Sequence, residues 1–171
     1  VEVIVVNKND DGIGELAVKG ESVALGYYQD EESTKESFTD GWFYTGDLVK
    51  IDDEGYIFIC GRKKNVIVLK NGKNIFPEEM ESLVNKIDGV VESFIFGKQI
   101  SDDKENVKIN VKIVFDREMM QKVYNAKTDE EIRKIFLDKI KEVNKELPRY
   151  KAIKGIILTE IPLIKTTTNK L

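Results

Sequence analysis

The sequence predicts an α+β protein: a small antiparallel β-barrel-like subdomain, followed by a compact α+β C-terminal domain with a short β-sheet and helices. Three observations carry that expectation. Short β-prone runs separated by glycine-containing turns occupy the chain as far as Gly61. Later, Ile132, Ile135, Phe136, Ile140, Val143 and Leu147 recur at helical spacing. Between these textures stands a basic turn, Gly61-Arg62-Lys63-Lys64, with no Pro/Gly/Ser linker. A charged turn of this kind suggests a hinge near residue 64 and a division into 1–63 and 64–171.

Taken in order, strands are expected at residues 3–6, 15–19, 48–51 and 56–60, with hairpin turns at Asp10-Asp11-Gly12 and Asp52-Asp53-Glu54-Gly55, where glycine supplies positive φ. Asp30 reads as the N-cap of one short helix, with Glu31 and Glu32 in its first turn. Tyr44-Thr45-Gly46-Asp47 reads as a tight turn ending on a carboxylate. Past Lys64, Val66-Ile67-Val68-Leu69 and Asn74-Ile75 flank Asn71-Gly72, which predicts a hairpin on a type I′ turn. Pro77 suits the first position of a helix whose apolar positions Met80, Leu83, Val84 and Ile87 lead to Asp88-Gly89. Strands at 90–97 and 107–115 carry β-branched and aromatic residues. Residues 116–125 read as a helix, and a longer one runs over 129–147, begun by Thr128 and Glu131 at capping-box spacing and stopped by Pro148. A final strand at 155–159 leads through Pro162 into a polar, threonine-rich tail, 165–170.

Composition removes several function classes. The 171 residues hold 27 basic against 31 acidic side chains, a formal net charge of -4, so no nucleic-acid partner is expected from a global field. Histidine is absent, which excludes Ser-His-Asp or Cys-His catalysis and a His-ligated metal. Cys60 is the one cysteine: no disulfide framework can form, a reducing cytoplasm is the simplest compartment, and the run Tyr56-Ile57-Phe58-Ile59 before it suggests a packed core thiol. No apolar run reaches bilayer length. The chain opens in mid-strand without methionine, as a piece of a longer protein would.

Three residues point to nucleotide chemistry. A carboxylate such as Asp47 accepts two hydrogen bonds at once and suits the vicinal diol of a ribose. Arg62 offers a planar fork for phosphate or ribose oxygens. Lys170 places a compact cation near the end of the tail, useful where charge builds on a phosphoryl group. Taken singly Asp47 and Lys170 have plainer readings, as a turn or cap aspartate and a solvated terminus, and Lys63 and Lys64 beside Arg62 read as mere solubility.

Their order is what carries a resemblance. Gly41-Trp42-Phe43-Tyr44-Thr45-Gly46-Asp47, Asp53-Glu54-Gly55-Tyr56, Gly61-Arg62-Lys63-Lys64, and Asn71-Gly72 with Ile75, Pro77, Glu78 and Glu81 resemble motifs of the acyl-adenylate-forming (AMP-binding) enzymes. Gly14-Glu15-Leu16 with Gly26-Tyr27-Tyr28 upstream, and Leu147-Pro148-Arg149-Tyr150 with the segment from Pro162 to Lys170 downstream, extend it over nearly the whole chain.

The resemblance implies a carboxylate attacking the α-phosphate of ATP to give acyl-AMP and pyrophosphate, after which the thiol of coenzyme A displaces AMP. It implies that Asp47, with Tyr44 and Thr45, and Arg62 bind the nucleotide, and that Lys170 is catalytic in adenylation. Lys64 becomes the hinge of a mobile C-terminal domain, and Asn71 with Gly72 line the pantetheine channel. No metal ligand is assigned within this chain: Mg2+ and the acyl pocket would belong mainly to a large N-terminal domain that the chain lacks, so the fragment alone is expected to be inactive. Asn169 stands where the family usually has glycine, and with the threonine run, a lysine hinge and Val68-Leu69-Lys70-Asn71-Gly72-Lys73-Asn74 it is most like the long-chain fatty acyl-CoA synthetases. A fatty acid or related carboxylate is then the expected substrate, one that favours peripheral membrane association. Two other readings stand beside it: an adenylation domain that loads a carrier-protein thiol, and a non-catalytic interaction module.

Overall fold

The computed structural model describes residues 1–99 and 107–164. Contacts gather into two compact units, Val1–Val66 and a second that begins at Ile67. The architecture is mixed α+β, a curled antiparallel half-barrel followed by a smaller sheet with helices, as expected.

The first unit holds β1 (Glu2–Val6), β2 (Gly14–Lys19), α1 (Glu31–Ser37), β3 (Phe38–Thr39), β4 (Trp42–Ile51) and β5 (Ile57–Arg62). The strands run β1-β2-β4-β3, with β5 also on β4. β3 pairs with the start of β4 and β5 with its end, so β4 is the spine of the sheet. Residues 44–47 are therefore not a tight turn but the middle of a strand. Glu15↔Leu48 and Ala17↔Tyr44 are successive pairs, so β4 fits two extra residues against β2. Gly46 absorbs them at φ +72, a left-handed conformation that costs glycine little. A bulge and a turn share the same residue chemistry, which is why the two are alike in sequence.

Three hairpin loops use one device. The N–H groups of Gly12, Gly55 and Gly72 donate to the carbonyls of Asn9, Asp52 and Leu69 at 2.9, 3.1 and 2.8 Å. Each glycine is left-handed, at φ +78, +88 and +76. The Asn71-Gly72 loop is thus a type I turn closed by a glycine bulge, not the expected I′ turn, since Asn71 itself is not left-handed. The Asn9 and Asp52 side chains reinforce their loops, each Oδ1 accepting from the backbone two and four residues on.

The expected core thiol is not one. Cys60 is half-buried, and its neighbours Phe58 and Ile59 are 55% and 76% exposed. Among the described residues β5 pairs with β4 alone, which makes it an edge strand, so an apolar run here does not imply a core position.

The second unit opens with the short pair β6 (Ile67–Val68) and β7 (Asn74–Ile75), then α2 (Pro77–Val84), β8 (Val90–Gln99), β9 (Val107–Phe115), α3 (Arg117–Tyr124), α4 (Asp129–Glu146) and β10 (Gly155–Thr159). β9 is central, antiparallel to β8 and parallel to β10. A parallel pair needs a crossover, and α3 with α4 supplies it. Ile109, Val111, Ile113 and Phe115 of β9 face the helices and pack with Met80, Met120, Ile132, Phe136 and Ile140 in one apolar core. The capping box of α4 forms as predicted, Glu131 N–H donating to Thr128 Oγ1 and Thr128 N–H to Glu131 Oε2 at 3.2 and 3.0 Å. With Lys127 N–H donating as well, the Glu131 carboxyl is held below the usual range. α2 is shorter than its periodicity suggests: it ends at Val84, and Asn85 to Gly89 form turns leading into β8.

Candidate functional site

β4 and β5 assemble the site of the first unit. Asp47 and Arg62 are direct cross-strand partners, fifteen residues apart in sequence and opposite each other in the sheet. Arg62 Nη1 donates to Asp47 Oδ1, and also to the Thr45 carbonyl at 3.3 Å. The bulge is what makes this convergence work. Thr45 Oγ1 donates to the Leu16 carbonyl of β2 at 3.0 Å and accepts from Asp47 N–H at 3.1 Å, so one hydroxyl ties the bulge to the sheet and orients the aspartate. Tyr44 precedes it in β4, paired with Ala17 and half-buried.

Both charged side chains stay within reach of solvent, Asp47 30% and Arg62 41% exposed. An ion pair so placed contributes little to stability. A carboxylate has about four lone-pair sites, so pairing with Arg62 leaves Asp47 capacity for further donors. The pair is a preset polar fork at a strand end, chemically suited to hydroxyls and phosphate oxygens.

Gly61 and Arg62 close β5 rather than forming a turn, and a short 3-10 turn, Lys63–Asn65, follows. Lys63 is not merely solubilising: its Nζ meets Glu15 Oε2 at 2.8 Å, and that carboxylate is nearly buried on β2. Sequence reasoning passed over this pair, although a glutamate inside an otherwise apolar strand was a visible signal. Lys64 is exposed in the same turn.

The second unit holds the remaining residues. Asn71 and Gly72 are exposed in the loop between β6 and β7, where Asn71 Oδ1 accepts from Lys73 N–H at 3.1 Å. Close by in sequence, Lys73 Nζ lies 4.2 Å from the centre of the Tyr150 ring. Lys151, 8% exposed, donates to Glu79 Oε2 at 2.5 Å. Of the motif glutamates, Glu81 accepts from Ile95 N–H at 2.8 Å, yet burial pushes its carboxyl above the usual range. Lys170 lies outside the described residues. The structure thus brings Thr45, Asp47 and Arg62 together in the first unit and places Asn71 and Gly72 in the second.

Among the described residues no three His, Cys, Asp or Glu side chains gather to hold a metal ion, and no helix is long and apolar enough to cross a membrane.

A curled half-barrel followed by an α+β unit is the architecture of the C-terminal part of acyl-adenylate-forming enzymes, as the comparisons show. o-Succinylbenzoate coenzyme A synthetase of Bacillus subtilis, solved with ATP and a magnesium ion, superposes on 99% of this chain with a TM-score of 0.74 at 27% identity. The chain belongs to the AMP-binding enzyme C-terminal domain family, whose model matches residues 64–169. A long-chain-fatty-acid–CoA ligase of Mycobacterium tuberculosis is 52% identical over 68 residues, 40% of this chain and 11% of that protein. A 2-succinylbenzoate–CoA ligase of Listeria monocytogenes is 41% identical over 91 residues, 53% of this chain and 19% of that protein. The matches therefore span about a fifth or less of these two curated relatives, and 32% of the Bacillus subtilis chain.

Proposed function

We propose that this chain is the nucleotide-contacting and mobile portion of a longer, cytoplasmic ATP-dependent carboxylate–CoA ligase. The observation that carries the reading is the register pairing of Asp47 with Arg62 beside the Thr45 bulge. In the first half-reaction a carboxylate oxygen bonds to the α-phosphorus of ATP and the bond to the bridging oxygen breaks, releasing pyrophosphate. Asp47 accepts the ribose hydroxyls, Arg62 donates to ribose or phosphate oxygens, Tyr44 and Thr45 support the nucleotide, and Lys170 meets the charge developing between carboxylate and α-phosphate. In the second, the thiol of coenzyme A attacks the acyl carbon and AMP leaves. The C-terminal domain turns at Lys64 between the two steps, and Asn71 with Gly72 come to line the pantetheine channel. Mg2+ and the acyl pocket belong to the rest of the longer protein.

The acid we favour is a long-chain fatty acid, which would bring the enzyme to membrane surfaces as a peripheral visitor. The threonine run, Asn169 and Lys64 support it, as does the 52% identity to a long-chain-fatty-acid–CoA ligase. Relatives that act on 2-succinylbenzoate make the acid a matter for a substrate panel.

Asp47→Ala in the longer ligase tests the nucleotide site. Charge-assisted hydrogen bonds are worth about 1.5–3 kcal/mol, so the KM for ATP is expected to rise by about tenfold or more, with the KM for the acid nearly unchanged. An unchanged ATP requirement in a protein that melts at the wild-type temperature contradicts the assignment.

A further inference from the structure

The proposed role of Lys170 raises a question of position: what fixes the start of the segment that carries it? The sheet of the second unit gives an answer. Glu92, Val114 and Thr159 form one row across β8, β9 and β10, by the pairings Glu92↔Val114 and Val114↔Thr159. A bulge sits beside Glu92, since Val90↔Phe115 is followed by Glu92↔Val114, and Val91 is the extra residue, 63% exposed. The row lies on the face away from the helices, because its neighbours Ile113 and Phe115 point into the helical core and Val114 does not.

The chain leaves β10 at Thr159 and turns back over this face. Thr159 Oγ1 accepts from Ile161 N–H at 3.0 Å, and Glu92 Oε1 on the far strand accepts from Leu163 N–H at 2.8 Å. Strands lie about 4.8 Å apart, so reaching β8 from β10 needs about 10 Å. Four residues extend to about 13 Å, which leaves little slack. Val114 is 3% exposed beneath this path. Leu163 and Ile164 then border an apolar groove with Phe94, Phe96 and Lys112.

We infer that Glu92 is a positioning residue for adenylation: by holding Leu163 on β8 it sets where the segment leading to Lys170 departs from the sheet. The inference rests on the proposed role of Lys170, which follows Leu163 by seven residues. With the anchor in place that segment starts at β8; without it the start falls back to Thr159, on β10, four residues earlier and about 10 Å away. A displacement of that size is large against the roughly 1 Å tolerance of a catalytic group.

The test compares Glu92→Leu, Glu92→Gln and Lys170→Ala in the longer ligase, reading carboxylate-dependent pyrophosphate release, thioester formation from supplied acyl-adenylate, and amide exchange at Leu163. Glu92→Leu is expected to speed Leu163 exchange by about fivefold or more. It should also lower adenylation kcat by about tenfold, with the KM values and the thioester step held within about twofold. Glu92→Gln keeps an acceptor oxygen and should restore most of the rate. Unchanged Leu163 exchange, equal losses in both half-reactions, or full adenylation by Glu92→Leu where Lys170→Ala is crippled overturns the anchor. If Lys170→Ala itself adenylates normally, the reading beneath the inference has failed instead.

Discussion

Lys170→Ala in the longer ligase is expected to lower the rate of acyl-adenylate formation by about 10²–10³-fold while leaving thioester formation from supplied acyl-adenylate close to wild type. The carboxylate and the polyphosphate are both anions, and their approach concentrates negative charge at the α-phosphorus. A positioned ammonium stabilises that charge most in the transition state, so its loss falls on kcat rather than on ATP binding. In the proposed second half-reaction the thiol attacks an acyl carbon, and the same cation has no part in that step. Pyrophosphate release and thioester formation, measured separately on one preparation, check the asymmetry. Equal losses in both would remove Lys170 from the role.

Lys64→Pro is expected to do the converse: adenylation persists within a few-fold, while thioester formation falls to near background. Lys64 lies in the middle of the 3-10 turn Lys63–Asn65, which follows the extended Arg62. Proline fixes φ near -65° and steers the preceding residue away from helical backbone, so two adjacent joints lose freedom together. On the proposed reading the C-terminal domain turns between the half-reactions, and a joint with less freedom restricts that turn. Retention of both steps would sink the hinge, and pre-steady-state traces with acyl-adenylate supplied would distinguish slow turning from lost coenzyme A binding.

Much of the fold was legible because local chemistry and global structure agree. Thr128 with Glu131, Pro77 at the start of α2, and the apolar stripe of α4 each carry their own start signal or period, and all three formed where expected. The departures share a cause. Around Gly46 and Asn71-Gly72 the same glycine serves a turn, a bulge or a glycine-closed type I loop, and only the partner strand decides which. Cys60 was misplaced because an apolar run at a sheet edge has the composition of a core strand without its burial. Asp47 and Arg62 are candidates from motif order alone, but their direct pairing depends on the register of β4 against β5 and could not be read from it. Glu15 stands out as a charge inside an apolar strand, but its partner Lys63 does not. The ties from Thr45 to Leu16 and from Glu92 to Leu163 are non-local contacts between residues that are ordinary by type, and no spacing rule exposes them.

The most direct test of the account is pyrophosphate release with ATP, Mg2+ and a panel of carboxylic acids, run on the longer protein and on the isolated 171-residue chain side by side. Acid-dependent release by the longer protein, strongest with long-chain fatty acids, and none by the isolated chain is the expected result. Acyl-adenylate formed by the isolated chain, or a longer protein that releases no pyrophosphate with any acid, would contradict it.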